Sequence, residues 1–260
     1  MPVIALLTDF GTRDHYVGTM KGVILDIAPQ ATLVDISHEI PPQDILGGAF
    51  QLASSYRYFP RDSIFVAVID PGVGSVRRGI AAEAGGFRFV APDNGLLTLV
   101  FRESPPARVV ELREPKYALP IVSHTFEGRD RFGPAAAWLA TGIDLTALGP
   151  IVTDCQRLDV PEPSADGGSI HGVVLAVDRF GNLVTNIPRP MIERLGQTTF
   201  KLAGTSVSRL VATYAQMPPG EVCALFGSAN YLEFAINGAS AAERLHLERG
   251  AQVEVRRVLK

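Results

Sequence analysis

Cysteine is scarce in this chain. Two occur in 260 residues, Cys155 and Cys223, far apart and not in a metal-type pair. Such a set builds neither a disulfide framework nor a thiolate metal site, so both read as reduced thiols. No signal-like start is present, and the expected location is cytoplasmic. The apolar opening, MPVIALLTDF, is too short to cross a bilayer and runs at once into an acid. It reads as a first buried strand, and no membrane partner is expected. An excess of one charge is also missing, with 24 basic against 27 acidic residues. A dedicated nucleic-acid surface carries a basic excess, so no nucleic-acid partner is expected. The five histidines, at positions 15, 38, 124, 171 and 246, lack metal-ligand spacing, and no metal site is expected. Gly72-Val73-Gly74 begins like a dinucleotide fingerprint, but Arg77 stands where its third glycine would be. The Walker A pattern and the GxSxG nucleophile elbow are absent too. These absences exclude phosphate cradling, zinc hydrolysis and serine esterase chemistry. There is no repeat of fixed period and no low-complexity tract.

What is present is apolar sequence, 47 % of the residues, enough for a sizeable core. Up to about residue 150 it alternates between strand-like and helix-like stretches. VIALLTDF reads as a strand and YVGTMKGVILDIAP as a helix stopped by proline. TLVDIS is a short strand, and QDILGGAFQLASSYRYF has helical spacing. SIFVAVID is a continuous apolar run of the kind that suits a central strand covered on both faces. FRFVAPDNG and RVVEL read as further strands, and GPAAAWLATG as a buried helix. This alternation predicts an α/β N-terminal domain with a mostly parallel sheet, over residues 1–155. The stretch 156–168 is polar and rich in Pro and Gly, and reads as a linker. Residues 169–260 are dominated by short strands (HGVVLAVD, NLVTNI, TTFKL, VCALF, YLEFAI, AQVEVRRVL), with one short helix at SAAERL. A smaller, mainly antiparallel β domain is expected there.

Ligands of parallel α/β sheets bind beyond the carboxyl ends of the strands. Three polar groups sit at such ends. They are Thr8-Asp9-Phe10-Gly11, the segment Asp70–Ser75 backed by Arg77 and Arg78, and Pro92-Asp93-Asn94-Gly95. The last reads as turn chemistry. Asp9 and Asp70 each directly end a buried strand, which favours a place in a cleft. The β domain has its own clusters, Asp178–Asn182 and Phe226–Tyr231 followed by Asn237-Gly238. Together they suggest a ligand held between the domains. A further cluster, SHTFEGRD at 123–130, sits before the buried helix.

Taken in order, TDFG, YVG-MKG, VIDPGVGS-RR, PDNG, TF-GRD-FGPAAA, DRFGN-VTN and NYLEFAINGASAAERL resemble the S-adenosylmethionine hydroxide adenosyltransferases. These are relatives of the fluorinating and chlorinating enzymes that use the same substrate. The likeness runs nearly end to end. It implies conversion of S-adenosylmethionine and water to adenosine and methionine, with S-adenosylmethionine as substrate and no cofactor. It also implies a homotrimer with the substrate at subunit interfaces. Two alternatives stand beside this: a non-catalytic S-adenosylmethionine or adenosine binder, and a halide-using relative.

The resemblance assigns Asp70 and Arg77 to the group around the attacking water. The third member departs from the family pattern, because Glu127 stands where the family has histidine. Three readings stay open: Glu127 as base, His124 swung into the site, or a third position that is dispensable or a protein slow or altered in activity. Arg129 and Asp130 read as a structural pair fixing the turn. For substrate contacts, the resemblance implies Asp9 at the ribose hydroxyls and Asp178 and Asn182 near the methionine and ribose parts. It implies Ser228 near the methionine carboxylate, Tyr214 against the adenine, and Asn237 and Gly238 at the adenine edge. Phe59 is expected as an apolar wall.

Overall fold

The alternation of the first 150 residues folds into a single sheet with helices on both faces. The computed structural model describes residues 1–207 and 209–258. The chain divides into two compact units, Met1–Asp159 and a second that starts at Val160. Strands β1 (Val3–Thr8), β2 (Thr32–Ser37), β3 (Ile64–Val68), β4 (Gly79–Ala84), β5 (Phe87–Pro92) and β6 (Pro106–Glu111) form the first sheet, in the order β2-β1-β3-β5-β4-β6. β2, β1, β3 and β5 run parallel. Helices α1 (Tyr16–Ile27) and α2 (Ile45–Ser55) make the crossovers that parallel pairing requires. The sheet is thus mostly parallel, with two antiparallel exceptions, β4 and β6.

Side-chain alternation divides the core. Ala5, Leu7, Phe65, Ala67 and Ile69 face α2 and α3 (Thr98–Glu103). Ile4, Leu6, Ile64, Val66 and Val68 face α1 and α4 (Gly133–Ala140). Both faces of β1 and β3 are therefore covered, which is why these strands read as unbroken apolar runs. Strand β4 was not expected, since GIAAEA is rich in alanine, a poor strand former. A two-residue turn makes it a strand. Gly85 and Gly86 have φ of 61° and 83°, so β4 and β5 close as a tight hairpin.

The chain leaves the first unit late. Gln156 donates its backbone N–H to Asp93 at 2.9 Å, and Leu158 donates to Thr98 Oγ1 at 2.8 Å. Arg78 joins Asp93 and Asp154, at 2.6 and 2.8 Å. The Pro92-Asp93-Asn94-Gly95 group is thus structural, as its turn chemistry suggested.

Among the described residues, the second unit is an eight-stranded antiparallel sheet. Its strands are β7 (Ser164–Asp166), β8 (Ser169–Val177), β9 (Leu183–Pro188), β10 (Thr198–Leu202), β11 (Thr205–Val207), β12 (Val222–Phe226), β13 (Tyr231–Ile236) and β14 (Gln252–Arg257). They lie in the order β11-β10-β14-β8-β9-β13-β12, with β7 beside β8. Two short helices, α5 (Arg189–Glu193) and α6 (Ala241–Leu245), accompany the sheet. The last residue of the expected AQVEVRRVL strand, Leu259, lies outside the described residues, as does Lys260. Among the described residues, no helix is long and apolar enough to cross a membrane.

The first unit leans on one aromatic group. Phe65 is fully buried, stacked on Phe89 at 5.2 Å and edge-on to Phe59 at 5.1 Å and Phe87 at 5.9 Å. Phe65→Ala is expected to lower the unfolding free energy by about 3–5 kcal/mol, through lost contacts and the cavity left behind. Urea denaturation checks this, and a loss below about 1 kcal/mol would show that the cluster collapses to fill the gap.

Candidate active site

Strand β3 delivers Asp70 to the carboxyl edge of the first sheet, where the chain turns through Gly72 and Gly74. Backbone hydrogen bonds Val73 N–H to Asp70 O (3.2 Å) and Ser75 N–H to Gly72 O (3.1 Å) tighten the loop. Arg77 is thereby brought back onto Asp70. Its Nε donates to Asp70 Oδ1 at 2.9 Å and its Nη2 to Oδ2, a bidentate pair. The same Nη2 donates to Glu127 Oε2 at 2.5 Å. Glu127 Oε1 also lies 3.3 Å from Arg131 Nε. The side chains of Asp70, Arg77 and Glu127 are 5 %, 10 % and 16 % exposed. Three of the sequence-predicted residues thus form one buried group, two acids sharing one guanidinium. Arg77 is further held over the Phe132 ring at 5.2 Å.

Burial pushes the Asp70 carboxyl above its ordinary value; Arg77 and the Gly72 amide oppose this, and the Glu127 charge adds to it. Burial acts against the charge of Arg77, but the two acids outweigh it and raise its pKa. Asp70 is therefore the acid that takes a proton more readily than usual.

The rest of SHTFEGRD builds the turn that presents Glu127. Asp130 is fully buried, accepts from Arg129 Nε at 2.6 Å and Nη2 at 3.0 Å, and accepts the Ser123 N–H at 2.8 Å. One carboxylate so closes the segment 123–130, the structural role expected of this pair. The turn continues as a π-helical stretch, Gly128–Phe132, into α4. His124 is exposed, and no hydrogen bond or ion pair joins its side chain to Asp70, Arg77 or Glu127. Its contribution is through the backbone. Gly74, at φ 78°, packs so closely that a Cβ there would lie 2.4 Å from His124 O. The two loops fit only with glycine at that point.

Asp9 ends β1, and its Oδ2 accepts the Gln43 N–H at 2.8 Å. Phe59 lies apart from the charged group, edge-on to Phe65 among the core aromatics, because the turn Tyr56–Tyr58 that ends α2 rolls it inward.

In the second unit, Asp178, Asn182, Tyr214, Ser228, Asn237 and Gly238 all line one cavity of about 920 Å³. Asp178 is largely occupied by its own turn. Its Oδ1 accepts the N–H groups of Phe180 (2.8 Å) and Asn182 (2.9 Å), and its Oδ2 accepts from Asn182 Nδ2 at 2.8 Å. Asn237 Nδ2 donates to Met217 O at 2.6 Å. One lining residue had been given no role from the sequence. Glu233, in the middle of β13, is 7 % exposed and borders the same cavity. Burial pushes its carboxyl up to about 7, with the Asp178 charge adding to the effect. The available signal was a lone acid in the otherwise apolar YLEFAI, close to Gly227. A Cβ at position 227 would sit 1.6 Å from Glu233 Oε1.

The first unit thus carries a buried group of two acids and a guanidinium beside an α/β sheet, and the second a cavity on a β sheet. Comparison with known proteins agrees. Residues 4–149 match the SAM hydroxide adenosyltransferase N-terminal domain, and residues 172–254 match the SAM hydroxide adenosyltransferase C-terminal domain. The chain is 38 % identical to the (R)-S-adenosyl-L-methionine hydrolase of Thermus thermophilus, over 98 % of this chain and all of that one. It is 32 % identical to a fluorinase of an Actinoplanes species, over 98 % of this chain and 97 % of that one. A crystal structure of an uncharacterized conserved protein from Thermotoga maritima superposes with a TM-score of 0.94 at 32 % identity, covering 98 % of this chain and 100 % of that one. The chain belongs to the SAM hydroxide adenosyltransferase family. Among the described residues, no group of three or more His, Cys, Asp or Glu is placed to hold a metal ion.

Arg77→Met should leave two buried carboxylates without their shared cation, a loss of about 3 kcal/mol near neutral pH. A carboxyl whose folded pKa is raised binds its proton more tightly when folded, so stability falls as pH rises through that value. Removing Arg77 raises Asp70 further. The deficit relative to wild type should therefore shrink on going from about pH 7 to about pH 5. Thermal melts at the two pH values decide this, and an equal deficit at both would contradict the shared-cation account.

Proposed function

We propose that this protein hydrolyses S-adenosyl-L-methionine to adenosine and L-methionine. The observation that carries the reading is the buried pairing of Asp70 with Arg77, with Glu127 on the same guanidinium. The hydrolase relative spans the full chain, which supports it.

The sulfonium makes methionine a good leaving group from C5′. The oxygen of water forms the new bond to C5′ as the C5′–S bond breaks, its electron pair going to the thioether sulfur of methionine. The water must lie in line, opposite the sulfur, and must lose a proton. Asp70 is the acceptor in this reading, because burial raises its carboxyl above the ordinary value. Arg77 stabilises hydroxide character in the water. Glu127 has its two oxygens directed at Arg77 and Arg131, so it holds the guanidinium in place. It fills the position of the family histidine without acting as the base. His124 has no part in the step.

Asp9 receives the ribose hydroxyls. The adenine edge is read at Asn237 and Gly238, with Tyr214 against the ring, and Asp178, Asn182 and Ser228 serve the methionine and ribose parts. S-Adenosylmethionine is substrate, and no cofactor enters the reaction. The working assembly is a homotrimer with substrate at the subunit interfaces, and the location is cytoplasmic.

Purified protein incubated with S-adenosylmethionine should release adenosine and methionine, with or without chloride, as resolved by chromatography. A 5′-halogenated adenosine would favour the halide-using alternative, and binding without turnover the non-catalytic one. Asp70→Asn is expected to lower kcat by about 10²–10⁴. Glu127→Ala should lower kcat while leaving the pH dependence of the rate in place; a lost pH limb would assign the base to Glu127 instead. Light scattering on the eluting protein should give three times the chain mass.

A further inference from the structure

We propose that Glu233 binds the ammonium group of the ligand in the second unit, and so sets a preference for nucleosides that carry an ammonium. The inference rests on the hydrolytic reading and names a determinant that it lacks.

Glu233 lies on β13, an interior strand next to the β12 edge, paired across to Val184 of β9 and Leu225 of β12. Its side chain is more than nine-tenths buried and borders the cavity. Its carboxylate is pressed against the backbone of Gly227, where a Cβ would come within 1.6 Å of Oε1. No hydrogen bond or ion pair from a described residue reaches either oxygen. An acid so placed, on a rigid strand and without a protein donor, must find its partner elsewhere or stay neutral.

The surroundings say what that partner is. Two acids, Asp178 and Glu233, line the cavity, and no Lys, Arg or His does so among the described residues. Asp178 already accepts three hydrogen bonds from its own turn. Tyr214 is the remaining titratable lining group; burial pushes its hydroxyl upward, and both acids add to this. Cys223 of β12 is buried and also acts on Tyr214. Arg189 lies over the Phe226 ring at 5.1 Å but is paired with Glu193 at 2.7 Å. The cavity thus holds an uncompensated acid, which complements a cation. The donor-free carboxylate further selects the kind of cation. An ammonium supplies N–H groups for a charge-assisted hydrogen bond, and a sulfonium has none. S-Adenosylmethionine carries both.

The test is binding calorimetry with wild type and Glu233→Gln, which keeps the side-chain shape. Three probes are compared: S-adenosylmethionine, S-adenosylhomocysteine, which keeps the ammonium but has no sulfonium charge, and 5′-methylthioadenosine, which has neither. The variant should bind the first two about 10- to 100-fold more weakly and the third as wild type does. Burial holds the Glu233 carboxyl up to about 7, so it is neutral below that value and charged above it. Wild-type affinity for S-adenosylmethionine should therefore rise between about pH 6 and about pH 7.5, and that of the variant should stay flat. Equal weakening of all three probes would overturn the proposal in favour of a structural role. Unchanged affinity for S-adenosylhomocysteine would overturn the ammonium assignment. Adenosine release by the wild type is read separately, so a failure of the hydrolytic reading shows there and a failure of Glu233 shows in the binding ratios.

Discussion

One guanidinium organises the first unit's site. Arg77 is called on by two carboxylates from different parts of the chain, Asp70 at the end of β3 and Glu127 at the entrance to α4. Both acids are withdrawn from water, and Arg77 is the cation they have in common. Everything nearby is arranged to keep Arg77 where it is. The glycine turn folds the loop back, Phe132 lies under the guanidinium, and the closed 123–130 segment fixes Glu127. The closeness of Gly74 to His124 O shows how little slack remains between the two loops.

This sharing also separates the roles of the acids. Two carboxylates beside one guanidinium repel each other, and burial adds to the penalty on charge. Burial, with the Glu127 charge adding to it, raises the carboxyl of Asp70, the more buried of the two. Glu127 faces a second arginine, Arg131, as well as Arg77.

Much of the fold was legible because burial on both faces leaves a plain mark: SIFVAVID and VIALLTDF are apolar throughout. The missed elements are those whose structure depends on a neighbour. β4 is an alanine-rich stretch made a strand by the Gly85-Gly86 turn, and α3 is six residues long with few signals of its own. The site divided in the same way. Asp70 stood out by ending a buried strand, and Arg129-Asp130 by its turn chemistry. Asp178 and Asn237 stood in polar clusters whose roles came from family likeness, Tyr214 was reached through the likeness alone, and the fold brings all three to one cavity. Glu233 was passed over because one acid in a strand reads as solvent-facing. Its burial follows from strand register and from the missing side chain at Gly227, and neither is visible within YLEFAI alone.

The two groups of acids answer different demands of the proposed reaction. Its substrate is a cation, and its products are a neutral nucleoside and a zwitterion. An acid that meets the ammonium contributes equally before and during the attack, because the ammonium is remote from the breaking bond. Such uniform binding lowers KM and leaves kcat alone. Asp70 and Arg77 act on a charge that exists only as the water loses its proton, so their contribution appears in kcat. The buried acid of β13 can therefore be strong without slowing the chemistry. Nor does it hold the nucleoside product, since adenosine leaves without the group that Glu233 binds.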